Sequence, residues 1–371
     1  MRWMSRLAVL ALLAAPALAA AKPLPKGLTI SIAKARPVAS RDGLTLPITD
    51  GDRADWDKLT KASLSDDGKD VVLEAMRCHE LEQDPVTIPL ATIEARFENA
   101  LGMGFHLKKQ YDKAIEHFAI AVAKDPREVY ATNLLSAQSL GGKLDEADKT
   151  LATYGAKAHG WFGWRLAVDS DLKPLKGRPS MKSFEIGKPG TARMAKLDAA
   201  YSPLGLVAVP TSEIAEGIGA PVASFLNIVD TASGLELMRL PVGTDCPVED
   251  PAHGPDKACV KKQAALAAPL IKKADAVLAQ LGFEPVPAAA VKKREGDVPS
   301  IVAPDGRKIV FSEKDPTQLV AGSAKKELAW DRPPDLVAFV PKAVVATLRT
   351  KGRVTCDDGM YWWTVDVTPT P

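Results

Sequence analysis

The stretch ARFENALGMGFHLKKQYDKAIEHFAIAVAKDP, residues 95–126, decides the first half of the fold. Small and aromatic residues recur in it at helical spacing. Ala114, Phe118 and Ala121 form an i, i+4, i+7 row, which predicts one buried helix face. Pro126 marks the end of this helix. Because small residues let two helices approach closely while an aromatic ring fills the groove beside them, the stretch predicts a tightly packed helical hairpin.

This pattern resembles the tetratricopeptide repeat, a two-helix unit of about 34 residues. The residues that match the repeat in order are Leu101, Gly102, Phe105, Tyr111, Ala114, Phe118, Ala121 and Pro126. A second unit follows over residues 128–155, with Leu135 and Ser136 thirty-four positions after Leu101 and Gly102. An ordinary pair of helical hairpins is the alternative interpretation.

The segments on either side of the two units are expected to close the stack, since stacked helices need neighbours over their apolar faces. Before the units, residues 54–83 carry an apolar stripe that predicts a capping helix, with Asp66 and Asp67 at its start. After the units, Trp161 and Trp164 share a predicted helix face. A hook then resembles the segment that closes many bacterial repeat arrays, through Asp169, Asp171, Leu172, Leu175, Pro179 and Phe184.

The pattern changes after Lys188. Alternating apolar residues on both sides of Ser233 and Gly234 predict a β-hairpin, IVAPDGRKIVFS predicts a second one, and GRVTCDDGMYWWTVDVTP predicts a final strand. Between the hairpins, KKQAALAAPLIKKADAVLAQLGF predicts a long amphipathic helix. Its expected buried face consists of Leu266, Leu270, Ala274, Val277 and Leu281.

We therefore expect an α+β chain of four parts. Residues 1–21 are a signal peptide, and residues 22–53 are an extended segment. Residues 54–187 form an all-α domain of tetratricopeptide-like hairpins. Residues 188–371 form an α+β domain of antiparallel hairpins with one long helix.

The first 21 residues combine two arginines, an alanine-rich apolar run and A-x-A cleavage signals, which is typical of an exported bacterial protein. We expect the mature chain in the periplasm or outside the cell. Disulfides form in those compartments, and Cys246 and Cys259 flank a loop rich in proline that a bridge would stabilise. Cys78 and Cys356 are either paired or free.

Composition and motifs favour binding over catalysis. The net charge of +2 gives no electrostatic basis for nucleic-acid binding. The sequence contains no G-x-S-x-G, H-E-x-x-H, paired C-x-x-C or Walker motif, so we predict no enzyme activity, cofactor or metal. After the signal peptide no apolar run approaches about 18 residues, so we expect no membrane span.

The resemblance implies a protein-interaction scaffold with a peptide-binding groove. The positions that line the groove in this family correspond to Arg96, Asn99, Met103, His106, Tyr130, Asn133 and Ala137. Asn99 and Asn133 lie one repeat apart, and their amides can bind the backbone of an extended protein or peptide partner. The alternative is an enzymatic or ligand-binding C-terminal domain that the repeats dock. Its first candidate residues are Asp230, Glu236, Asp305, Trp362 and Trp363.

Overall fold

The computed structural model describes residues 22–34, 36–49, 56–77, 80–81, 85–215, 222–246, 256–293, 300–311, 317–328, 330, 334–353 and 359–370. The predicted signal peptide, Cys78 and Cys356 lie outside these residues. The described chain is α+β and consists of an N-terminal group of strands, five consecutive helices, and a larger group of strands with one long helix.

The prediction of an all-α N-terminal domain is wrong, because strands from Thr29 to Pro89 precede the first helix. The strands are β1 (Thr29–Ala33), β2 (Arg36–Arg41), β3 (Leu44–Pro47), β4 (Trp56–Leu64), β5 (Asp70–Arg77), β6 (Glu80–Leu81) and β7 (Val86–Pro89). Strands β1, β2 and β3 pair in that order as one antiparallel sheet, and β4 to β7 form a second. The expected extended segment and capping helix are therefore both β structure.

The apolar pattern of strand β5 shows why a helix was predicted in this region. Val71, Leu73 and Ala75 are buried, and the residues between them are partly exposed, which is the two-residue period of a strand. The same run also fits a helical stripe, because several apolar residues stand close together. Asp67 and Gly68 lie in the turn between β4 and β5, where Gly68 has a φ of 78°. Asp-Gly is a strong hairpin signal, so it should have outweighed the helix-start interpretation.

Five helices follow, and they have the order expected for two hairpins and a closing helix. They are α1 (Leu90–Leu107), α2 (Tyr111–Lys124), α3 (Glu128–Leu140), α4 (Leu144–Gly155) and α5 (His159–Val168). Ala114, Phe118 and Ala121 are fully buried in α2, as the sequence predicts. Ile93 and Phe97 of α1 pack into a core with the N-terminal strands. Strands therefore cover the open side of the first hairpin.

Two 3₁₀ segments form the predicted hook, Ser170–Leu175 and Pro179–Phe184. Leu172, Leu175 and Phe184 are buried against the repeat helices. Arg178 donates to the carboxylates of Asp145 and Asp148 on α4. The hydrogen bond from Arg178 lowers the pKa of Asp148 below its ordinary value, because it favours the charged carboxylate.

The C-terminal strands form one large antiparallel sheet and a smaller one. The large sheet has the order β11-β10-β9-β20-β19-β18-β13, with β8 paired to β9 and β12 paired to β8. Its strands are β8 (Ala200–Ser202), β9 (Leu206–Ala215), β10 (Val222–Asp230), β11 (Glu236–Thr244), β12 (Glu284–Pro285), β13 (Val291–Lys293), β18 (Leu336–Val340), β19 (Ala343–Arg353) and β20 (Gly359–Pro369). The smaller sheet consists of β14 (Ser300–Val302), β15 (Lys308–Val310), β16 (Thr317–Ala321) and β17 (Ala324–Leu328). Both predicted hairpins and the final strand are present.

Helix α6 (Lys257–Gln280) packs on β11. The predicted disulfide joins Cys246, just after β11, to Cys259 in the first turn of the helix, with a Cα–Cα distance of 6.0 Å. Ala274, Leu278 and Leu281 are buried, but Leu266 is 56% exposed. The predicted buried face is therefore correct only for the C-terminal half of the helix. In the described part of the chain, no helix has the length and apolar character of a membrane span.

Helix α5 joins the repeat helices to the large sheet. Its Gly160 lies so close to β9 and β10 that an added Cβ would stand 2.5 Å from both Leu206 and Asp230. The Asp230 carboxylate is fully buried and accepts from the Gly160 amide at 3.1 Å, at the positive end of the helix. One hydrophobic core runs from the repeat helices through this contact to α6.

Candidate binding site

Close packing of α1 against α2 positions the candidate site. A Cβ at Gly102 would lie 2.6 Å from two ring carbons of the buried Phe118, so α1 approaches α2 closely only because residue 102 is glycine. Helix α3 packs against both α1 and α2. As a result α1 and α3 lie side by side and present the predicted groove positions on one surface.

Two predicted groove residues meet directly. The side-chain amide of Asn133 on α3 donates to the side-chain oxygen of Asn99 on α1 at 2.8 Å. Both side chains are partly exposed. The two asparagines therefore form a ladder between α1 and α3, and each still has polar atoms that this bond leaves available to a ligand.

A pocket of about 250 Å³ opens beside this ladder. It lies between β3, α1 and the start of α3, and we call it the β3–α1–α3 pocket. Its lining consists of Leu46, Pro47, Arg96, Asn99, Ala100, Arg127, Val129 and Tyr130. Three predicted groove residues, Arg96, Asn99 and Tyr130, are thus gathered at one site.

Arg96 fixes the wall that β3 contributes. Its Nη1 donates to the Pro47 carbonyl at 3.2 Å. The Ile48 amide donates to the Pro37 carbonyl of β2. In the β2–β3 register the preceding residue, Pro47, therefore directs its carbonyl away from β2. Arg96 therefore occupies an outward-facing carbonyl on an edge strand and holds that strand against α1.

The opposite end of the predicted groove is closed by the chain itself. His106 contacts Asp171 of the hook, with Nε2 3.1 Å from Oδ2. Met103 is partly buried and Ala137 is fully buried in the core beneath the hook. The surface is therefore open to a partner near Arg96, Asn99 and Tyr130, while the hook occupies the half near His106.

The pocket combines apolar walls with basic groups. Leu46, Ala100 and Val129 supply the apolar surface, and two guanidinium groups lie in the lining. One of them, on Arg127, forms an ion pair with Asp125, with Nε 2.7 Å from Oδ2. This pairing offsets part of the positive charge, so the pocket offers hydrogen bonds and apolar contact in preference to a strong electrostatic field.

No protein family matches this chain, and neither does any curated protein or solved structure. The tetratricopeptide assignment therefore stays a prediction from the sequence.

Two of the C-terminal candidates, Asp230 and Asp305, have separate structural partners. Asp230 is a buried helix cap, and Asp305 is bound by Arg307 in the turn between β14 and β15. The side chains of Trp362 and Trp363 lie outside the described structure. Among the described residues, no three His, Cys, Asp or Glu side chains are grouped as a metal site requires.

Several lining residues were missed by sequence reasoning. Leu46 and Pro47 belong to a strand more than 40 residues upstream, and no local pattern connects them to α1. Val129 did carry a signal in the sequence, because it is an apolar residue directly after Arg127 and Glu128. In the structure it is 40% exposed. An exposed apolar side chain at a helix start is a reasonable marker of a contact surface.

Proposed function

We propose that this chain is an exported interaction scaffold whose helical repeats bind a short extended segment of a partner protein at the β3–α1–α3 pocket. The observation that carries the proposal is the Asn99–Asn133 ladder beside that pocket. Amides one repeat apart can hydrogen-bond the main chain of an extended peptide, and the pocket can take one of its side chains.

The pocket is smaller than a typical site for a drug-sized ligand or a large cofactor. Pockets for drug-sized ligands occupy about 300–1,000 Å³. A volume of about 250 Å³ suits one side chain. The apolar wall formed by Leu46, Ala100 and Val129 favours an aliphatic or aromatic side chain there. We assign no catalytic step to the site.

The proposed location outside the cytoplasm is supported by the disulfide between Cys246 and Cys259, since such bonds persist in oxidising compartments. A single pocket and one amide ladder form a small contact area. We therefore expect a modest affinity that a second contact or a tethered partner would strengthen.

The test is capture of partners from the envelope fraction of the source organism, with the tagged mature chain as bait. Asn99→Ala/Asn133→Ala removes both members of the ladder, so neither amide is left without its partner. Val129→Asp places a charge on the apolar wall. Each variant should lose at least about tenfold of a partner that the wild type retains, since removing contacts worth about 1.4 kcal/mol has that effect.

Ile120→Asp is the matched control. Ile120 is 42% exposed, close to the 40% of Val129, but it lies on α2 and outside the pocket. It should leave capture unchanged. Equal recovery by wild type, the asparagine double variant and Val129→Asp would reject the pocket as the binding site.

A further inference from the structure

The exposed side of α6 is strongly basic. From Lys257 to Ala274 the helix carries five lysines and no acidic residue. All five are exposed, and none forms an ion pair with any residue that the structure describes. The row from Lys257 to Lys273 spans about 24 Å at 1.5 Å per residue. The chain as a whole has a net charge of only +2, so this is a local concentration of charge.

The buried residues of α6 fix the direction of this row. Ala274 and Leu278 face the sheet. At 3.6 residues per turn, the side of the helix away from them carries Lys261, Lys262, Lys272 and Lys273. The disulfide at Cys259 anchors the first turn to the end of β11, so the basic side is presented by a helix that is held at both ends.

We propose that this basic side of α6 docks the protein on a bilayer surface rich in anionic phospholipid. The lysine row is complementary in charge to a plane of phosphate groups, and juxtamembrane lysines are attracted to such surfaces. Leu266, which is 56% exposed, lies beside the lysines on the helix surface. Apolar side chains beside a basic row can enter the headgroup region.

The composition of the row favours lipid over an acidic protein partner. Protein interfaces are enriched in tyrosine, tryptophan and arginine and depleted in lysine. Here every cation is a lysine, a hydrated point charge on a flexible stem that fits a diffuse anionic surface better than a defined carboxylate. Between the two lysine pairs lie Ala265, Ala268 and Pro269, which are exposed and small enough to let a flat surface approach.

The test is cosedimentation of the mature chain with phosphatidylcholine vesicles, with and without phosphatidylglycerol. The wild type should bind only the anionic vesicles, and binding should fall as salt is raised. One lysine near an anionic surface strengthens binding by about fivefold. The variant in which Lys261, Lys262, Lys272 and Lys273 are all replaced by Gln should therefore bind at least about tenfold more weakly.

The control variant makes the same charge change elsewhere, with Gln at the exposed residues Lys149, Lys173, Lys176 and Lys182. It should keep vesicle binding, and Val129→Asp should keep it too, which separates this result from the proposed peptide site. Circular dichroism should show that both quadruple variants are folded. No binding of the wild type, or an equal loss in both quadruple variants, would overturn the proposal. The proposal would also be overturned if the wild type bound no vesicles but captured an acidic protein that the quadruple Gln variant of α6 no longer captured.

Discussion

The substitution Gly102→Ala tests how the two helices of the first hairpin approach each other. Alanine favours a helix by about 0.5–1 kcal/mol over glycine. At this position, however, the added Cβ would lie 2.6 Å from the ring of Phe118, and that ring is fully buried and cannot move into solvent. Overpacking of this kind costs about 1–3 kcal/mol. The expected net effect of Gly102→Ala on the free energy of unfolding therefore lies between almost no change and a loss of about 2.5 kcal/mol.

Gly104→Ala is the control, because it lies two residues away on the same helix and its added Cβ meets nothing within 4 Å. It should raise the free energy of unfolding by about 0.5–1 kcal/mol. Urea denaturation followed by circular dichroism should therefore place the two variants about 1–3 kcal/mol apart, with Gly102→Ala the less stable. If both substitutions stabilise the protein equally, the inferred packing of α1 on α2 is wrong.

Three further predictions concern the elements that support the repeats. Asp230→Ala should lower the free energy of unfolding by at least about 2 kcal/mol, because a buried carboxylate that caps α5 is lost; chemical denaturation measures this, and no change would contradict the capping role. Arg178→Met should destabilise the protein near neutral pH and have less effect below the depressed pKa of Asp148. The reason is that the stability contributed by the Asp148 carboxylate is lost as pH falls through its folded-state pKa. A pH-independent loss of stability, measured by denaturation of both proteins at several pH values, would refute this. Reduction of Cys246–Cys259 should cost up to about 3 kcal/mol and speed hydrogen exchange in the first turns of α6; unchanged exchange would contradict the anchoring role.

The helices α1 to α5 were predictable because their signal is local. A row of small and aromatic residues defines a buried helix face within a few turns, and Ala114, Phe118 and Ala121 are indeed fully buried. The C-terminal hairpins were also predictable, since alternation and Gly-containing turns lie next to each other in the chain.

The N-terminal strands were missed because a short apolar run fits two periods. Val71, Leu73 and Ala75 follow the two-residue period of β5, while neighbouring apolar residues imitate a helix. The exposure of Leu266 was missed for a different reason. Which residues of α6 are covered depends on how the helix packs on β11, and the helix pattern contains no information about that.

Half of the candidate site was predictable and half was not. The spacing of Asn99 and Asn133 by one repeat pointed to a shared surface, and the two side chains do bond to each other. The wall from β3 and the closure of the far end by Asp171 are long-range contacts. They depend on how separate units pack, so a single sequence could not place them.

Photo-cross-linking in the source organism is the sharpest test of the proposed peptide site. A photoreactive phenylalanine analogue would replace Val129 at the rim of the β3–α1–α3 pocket, and a second version would carry it at Ile120 on α2. We expect a discrete cross-link from position 129 to one segment of another protein, and we expect Asn99→Ala/Asn133→Ala to abolish it. Position 120 should give no such product. Equal cross-linking from both positions, or none from position 129, would contradict the proposed site.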